Sequence, residues 1–287
     1  MTLCLVVAVL TVRDYNRSYG ETLVDDSVNC DLLCPPLPPK ADSGQQPEGS
    51  EVSVEVLRYN QEACTLAQLR QRYRTDKEGN HEEYFTHYEQ FFCPHKLRAQ
   101  NFTLIEIGRG YGASTKLWME YFPSAFIVSL DVANWAGPGA PPENRVRLLQ
   151  AQQQDVSTLR SLCATYQNID VVIDDGSHVN AHVLTSFKVL FDCLRVGGIY
   201  SIEDTQTSYW SEIPFEGGCD PSKANTTMNY MKSLVDQQNW AEIPQPNKFY
   251  SVGQFAPFLG EIHFYHNHVL IVKTKNERKT NWPGHRC

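Results

Sequence analysis

Apolar residues along this chain fall into short continuous runs separated by stretches of helical period. FTLIEI (102–107) is stopped by glycines and followed by ASTKLWMEYF (113–122), whose apolar positions recur at helical spacing. AFIVSLD (125–131) and RVRLLQ (145–150) are further runs, the second ahead of a helical stretch over 156–166. DVVID (170–174) precedes a helix predicted over 179–194, which Gly197 and Gly198 are expected to stop before IYSIED (199–204). Continuous apolar strands alternating with helices are what a parallel sheet buried on both faces requires. EIHFY (261–265) and HVLIVK (268–273) are parted only by His266 and Asn267, a spacing suited to a hairpin, so an antiparallel pair is expected to close the sheet. The fold class is therefore α/β, mostly parallel with a C-terminal antiparallel hairpin. Residues 132–144 (VANWAGPGAPPEN) hold too many Gly and Pro for a crossover helix and are predicted to be a loop.

Ahead of the sheet the pattern changes. CPPLPPKADSGQQPEGSE (34–51) is rich in Pro, Gly, Ser and charge, as linkers are. Residues 52–74 mix apolar and charged positions at helical spacing and predict a helix packed on the main unit. The expected organisation is an appendage and linker over 1–51, a packing segment over 52–101 and the main domain over 102–287. MTLCLVVAVLTV (1–12) is too short to span a bilayer, which needs about 20 residues. Its length suits a signal segment, yet no basic region precedes it and no A-x-A site follows. A signal or clipped anchor, and a cytoplasmic or secretory location, both stay open.

Composition narrows the chemistry. The formal charge of −8, without a Lys/Arg-rich run, excludes a nucleic-acid partner held through phosphates. Nine cysteines without a CxxC pair exclude zinc ribbons and thioredoxin-like sites; buried reduced thiols are expected, with disulfides open if the chain is secreted.

The acidic residues stand at strand ends, where open α/β sheets bind ligands. In EIGRGYGAS, Glu106 is followed by Gly108, Gly110 and Gly112 between a strand and a helix. Glycines there let backbone approach a cofactor and offer N–H donors at a helix start, although structural turns use them too. Asp131, at the end of the next strand, is placed to accept both hydroxyls of a ribose, or simply to cap a helix. Gln153 and Asp155, in QQQD (152–155) after the third run, could meet an adenine amine, and Asp174 is counted with the cofactor-binding residues. This order of glycine turn, acid and polar cluster, with the terminal hairpin, resembles the class I S-adenosylmethionine-dependent methyltransferases over about residues 102–273. The resemblance implies a Rossmann-like sheet and S-adenosylmethionine as cofactor.

VVIDDGSHVNAH (171–182) and GGIYSIEDT (197–205) carry a second site. Asp175, Glu203 and Asp204 come from two strand ends expected to be neighbours. Oxygen-only ligands suit Mg²⁺, Mn²⁺ or Ca²⁺ rather than zinc. Without an ion the carboxylates would repel; the alternative is that they cap the following helices and loops. His178, on the first turn of a helix that Ser177 could cap, faces the same crevice and is the candidate general base for a hydroxyl nucleophile. These stretches resemble the Mg²⁺-dependent sugar O-methyltransferases of macrolide biosynthesis. That resemblance implies metal ligation by Asp175, Glu203 and Asp204 and a basic role for His178. TDKEGNHEEYFTHYEQFF (75–92) is similar to the family's TDK segment, with Glu83 inserted or Tyr84 shifted. The family's GDQSD appears as Ala151 to Asp155, where Gln153 and Asp155 match and the Gly and first Asp do not.

His81, His87 and Tyr88 are candidates to cover cofactor or substrate, and residues 205–258, with Trp210 and Trp240, to form a substrate wall; ordinary packing explains both equally. The expected partner is a hydroxylated, sugar-like small molecule, and a homo-oligomer is left open. Three alternatives stand beside this reading: a catechol-type or other small-molecule O-methyltransferase, a nucleotide-binding dehydrogenase, and a non-catalytic methyltransferase-like module.

Overall fold

A computed structural model describes residues 66–73, 75, 77, 83–97, 102–133, 144–277, 279 and 280. The 1–51 appendage, His81 and most of the loop predicted over 132–144 lie outside these residues. Helices α1 (Leu66–Tyr73) and α2 (Glu83–Leu97) precede the sheet. Next come β1 (Phe102–Ile107), α3 (Ala113–Tyr121), β2 (Ala125–Asp131), β3 (Val146–Gln150), α4 (Val156–Thr165), β4 (Ile169–Asp174), α5 (Asn180–Cys193) and β5 (Leu194–Ile202). Beyond a 3-10 turn (Thr205–Tyr209) lie α6 (Thr227–Gln238) and the hairpin β6 (Leu259–Tyr265) and β7 (His268–Lys273).

The strands form one seven-stranded sheet in the order β3-β2-β1-β4-β5-β7-β6. Only β7 runs antiparallel to its neighbours, β5 and β6, so β6 is the edge. The α/β class and the terminal hairpin are as the hydrophobic pattern predicts. Successive residues of each strand feed opposite faces, as a period of two dictates. Ile105, Ile107, Val128, Leu130 and Val172 join Leu159, Phe187, Phe191 and Met231 in one core. Leu104, Ile127, Val171 and Ile173 join Leu66, Tyr88, Phe92, Trp118 and Phe122 in the other. Both cores are needed because the central strands have no solvent face.

Two sequence expectations change. Gly197 and Gly198 do not stop α5; they lie inside β5, where the register against β4 shifts between Ile169 and Val171. Gly197 is left-handed there (φ +81), as at a bulge, and a Cβ on Gly198 would lie 2.7 Å from the Leu194 side chain. The helix ends instead at Cys193, where Lys273 Nζ donates to the carbonyls of Phe191 and Asp192 at 2.8 and 2.9 Å. A cation on those terminal carbonyls also meets the negative end of the helix dipole. Second, the expectation of reduced thiols fails for Cys163 and Cys193, which form a disulfide between the ends of α4 and α5. No helix among the described residues is long and apolar enough to cross a membrane.

The register sets up the site. Ile107 pairs with Leu130 on one side and with Asp174 on the other, and Asp174 pairs with Ile202. The carboxyl ends of β1, β2, β4 and β5 are therefore level, and the turns after them emerge at one height.

Candidate active site

The level strand ends are laced together one residue further on. Gly108 N–H donates to the Leu130 carbonyl (2.8 Å), Asp175 N–H to Ile107 (2.9 Å) and Glu203 N–H to Asp174 (2.9 Å). Gly108 is left-handed, and a Cβ on it would lie 1.8 Å from the Asp175 carbonyl oxygen. Only glycine allows that approach. The glycine turn and the first acid of the second site are thus in direct contact.

Two cavities open over this turn. One of about 220 Å³ is lined by Ile107, Gly108, Leu130, Asp131, Val132, Gln153, Gly176, Ser177 and His182, among others. The second, about 530 Å³, runs past Gly108, Gly110, Tyr111 and Asp131 to Asp175 and His178. Sharing Gly108, Asp131, Val132 and Gly176, they make one crevice.

Of the predicted cofactor residues, Gly108, Gly110, Asp131 and Gln153 line this crevice. Asp131 Oδ2 accepts from the N–H groups of Arg109 and Gly110, both at 2.9 Å, and Oδ1 from Ala133 at 2.8 Å. Gly112, left-handed at the N-cap of α3, stands behind the turn. Glu106 and Asp174 do not reach the crevice. Glu106 is buried beneath the turn, accepting from the hydroxyls of Thr115 and Ser129, and burial pushes its carboxyl above the ordinary value. Asp174, pushed up to about 6 mainly by burial, accepts from Gln153, Ser186 and Tyr200. Asp155 is a helix cap: its carboxylate accepts from the N–H groups of Ser157 and Thr158, and hydrogen bonds, the Ser157 hydroxyl first, hold it down at about 2. Glu106, Asp174 and Asp155 are each bonded within the protein beneath or beside the crevice.

The acid end is arranged differently. Asp175, His178 and Asp204 each offer one ligand atom, all within 4.8 Å of one another. His178 Nε2 is 3.5 Å from Asp204 Oδ2 and 3.9 Å from Asp175 Oδ1. It is not on the first turn of α5, as the sequence suggests. It precedes the helix in a left-handed conformation (φ +55), and the N-cap is Val179 without a side-chain cap. The Thr207 hydroxyl donates to its carbonyl at 2.8 Å and fixes the bend. Asp204 is also left-handed (φ 53), which turns its carboxylate back toward His178.

Glu203 is buried and already engaged. Lys77 Nζ donates to it and, at 2.6 Å, to Asp175 Oδ2, while the Tyr88 hydroxyl donates to its other oxygen. Burial and the neighbouring Asp175 carboxylate push the Glu203 carboxyl up; the Lys77 ammonium opposes them. A carboxylate has about four lone-pair sites, so these bonds leave Glu203 able to take a further cation.

Residues not singled out as ligands complete the setting. Lys77, within the TDK stretch, has only its motif as signal. His268 Nε2 lies 2.7 Å from Ser201 Oγ, which donates to Tyr88 at 3.0 Å, and His87 Nδ1 lies 3.2 Å from His268 Nδ1. The Lys77 ammonium and the Tyr88 hydroxyl both donate to Glu203, so this buried chain ends on its carboxyl group. Nothing in the linear order links Glu203 with residues of α2 and β7. The Tyr84 hydroxyl, 3.0 Å from Asp204 Oδ1, supports the other acid. Neither Trp210, packed edge-on with Phe215, nor Trp240 lines either cavity.

No protein-family model matches the sequence. The chain is 37% identical over 221 residues to mycinamicin VI 2''-O-methyltransferase of Micromonospora griseorubida, covering 74% of this chain and 53% of that protein. It is 38% identical over 222 residues to 8-demethyl-8-alpha-L-rhamnosyl tetracenomycin-C 2'-O-methyltransferase of Streptomyces olivaceus, covering 74% and 55%. The MycE methyltransferase of the mycinamycin biosynthetic pathway, solved in complex with Mg and SAH, superposes with a TM-score of 0.69 at 34% identity, covering 77% of this chain and 58% of that one. This is the class I methyltransferase fold. The sequence resemblance to sugar O-methyltransferases holds with it. The methyltransferase-like chain spans about half the length of the curated relatives it matches.

Proposed function

We propose that this chain transfers the methyl group of S-adenosylmethionine to a hydroxyl of a sugar-like small molecule, assisted by Mg²⁺ or Mn²⁺ at the acid end of the crevice. One observation carries the reading: a single cavity has Gly108 and Asp131 on one wall and Asp175 and His178 on another. A donor laid over the glycine turn would present its sulfonium beside the acids. The activities named for the relatives, 2''-O- and 2'-O-methylation of glycosylated compounds, support the hydroxyl acceptor.

The residues fit a hard divalent ion. Asp175 and Asp204 supply carboxylate oxygens within one ion's span, and Glu203 has lone pairs to spare, which leaves the His178 lone pair for the proton. Bound there, the ion supplies Lewis acidity that makes a neighbouring hydroxyl easier to deprotonate. His178 then takes the hydroxyl proton at Nε2, and Asp204 and Asp175 stabilise the imidazolium. As the oxygen bonds to the methyl carbon, the carbon–sulfur bond breaks and its electron pair returns to sulfur, leaving a neutral thioether. The glycine turn and Asp131 hold the donor's ribose and tail; Glu106, Asp174 and Asp155 keep that floor rigid.

The test is incubation of the full chain with labelled S-adenosylmethionine, Mg²⁺ and a panel of glycosides, followed by mass analysis. A single-methyl gain that EDTA abolishes and Mg²⁺ restores is expected. Transfer insensitive to EDTA would remove the cation from the proposal, and failure to bind S-adenosylhomocysteine in calorimetry would remove the donor.

A further inference from the structure

The sequence offers Gln153 as the group that meets an adenine amine, yet its amide is spent within the protein. The Ser177 N–H donates to Gln153 Oε1 at 2.9 Å, which fixes the orientation of the amide. Nε2 accordingly faces Asp174 Oδ1 at 2.5 Å and Ser186 Oγ at 3.2 Å. Because Oε1 can only accept, the Ser177 hydroxyl donates to it at 3.0 Å. That hydroxyl has no second proton. Its oxygen, 2.9 Å from His182 Nδ1, must accept from an Nδ1–H.

His182 is thereby locked in the tautomer whose Nε2 carries a lone pair, and burial lowers its affinity for a second proton. The ring lines the smaller cavity beside Ile107, Leu130 and Val132. Among the described residues no protein group donates to Nε2. Of the other polar side chains there, Gln154 Nε2 donates to Gln152 Oε1 at 2.8 Å, and Asp131 accepts from the backbone N–H groups of Arg109, Gly110 and Ala133. His182 thus brings an acceptor to the lining of this mostly apolar slot.

We propose that His182 selects the adenine ring of the methyl donor by accepting a hydrogen bond from its exocyclic 6-amino group at Nε2. The proposal rests on the methyl-donor reading above and assigns its base specificity to a helix residue outside the polar cluster after β3. A 6-oxo purine places an acceptor against the same lone pair and is rejected.

The test is calorimetric titration of the full chain with S-adenosylhomocysteine and its 6-oxo analogue, S-inosylhomocysteine. Wild type should prefer the adenine compound by about tenfold, and His182→Ala should erase that preference by weakening the adenine compound and relieving the 6-oxo one. A variant-independent measurement accompanies it: ¹⁵N NMR of the ligand-free protein at neutral pH should show His182 protonated at Nδ1 and bare at Nε2, with the Nε2 signal moving on addition of S-adenosylhomocysteine. An Nε2-protonated ring, or an unchanged preference in His182→Ala, overturns the role of His182 while leaving the methyl donor in place. A wild type that binds neither compound overturns the methyl-donor reading and this proposal together.

Discussion

At the donor end of the crevice, polar side chains satisfy one another. Glu106 is held by Thr115 and Ser129, Asp174 by Gln153, Ser186 and Tyr200, and Asp131 by three backbone N–H groups. At the acid end, on the same row of strand tips, Asp175 and Glu203 share the Lys77 ammonium, and His178 stands at 3.5–3.9 Å from Asp204 and Asp175. The difference lies in the partners: hydroxyl, amide and backbone donors hold the carboxyl groups at one end, whereas two carboxylates share an ammonium at the other. Carboxylates brought this close to one another favour a further cation or proton.

That contrast is tested by changing one end and measuring both. His178→Ala should lower turnover by roughly 10²–10⁴-fold, the usual size of a lost general base, while S-adenosylhomocysteine affinity stays near wild type in calorimetry. Near-normal turnover would take the proton-acceptor role from His178. Asp175→Asn should weaken Mn²⁺ binding, followed by electron paramagnetic resonance, by more than the roughly 10–100-fold typical of losing a supporting partner. An unchanged Mn²⁺ affinity would mean that Asp175 is no ligand and serves only to hold Lys77.

The buried histidines add smaller effects. Burial holds His268 well below the ordinary histidine value, and His87 and His182 are lowered as well. Between their unfolded value of about 6.5 and the lower folded values, the unfolded chain binds more protons, so stability is full above about pH 6.5 and falls below it. Each such group contributes a slope of at most about 1.4 kcal/mol per pH unit. Urea unfolding at several pH values should show this fall, and His268→Gln should flatten it; an identical slope would mean that His268 titrates normally. The smallest effect belongs to Asp155→Ala. It should cost some thermal stability through the lost cap of α4 and leave S-adenosylhomocysteine affinity unchanged, whereas a large loss of affinity would return Asp155 to the donor site.

Much of the fold is legible in the chain because its strands are buried on both faces and read as unbroken apolar runs. The ends of β1, β2 and β4 and the hairpin fall where periodicity and turn residues place them. Gly197 and Gly198 mislead because a glycine pair serves a bulge in a strand as well as a helix stop, and no local signal separates the two. Asp155 misleads for a similar reason: an acid after a strand is equally a ligand contact or a cap, and the Ser and Thr that follow it favour the cap. Gln153 is visible as a polar residue at the right height, but its neighbours Ser177, Ser186 and Asp174 come from other segments.

The order of residues is enough to specify the α/β class, the glycine turn, the placement of acids at strand ends and the kinship of the DDGSH and EDT stretches. Those features are local, written in periodicity and in residue types at fixed offsets. Folding in three dimensions adds the bridge of Lys77 between Asp175 and Glu203, the Tyr88 hydroxyl of α2 on Glu203, and the bonds that tie Gln153 to Asp174, Ser177 and Ser186. Hydrogen-bond direction depends on every partner at once, and those partners come together only when the strand ends are brought level.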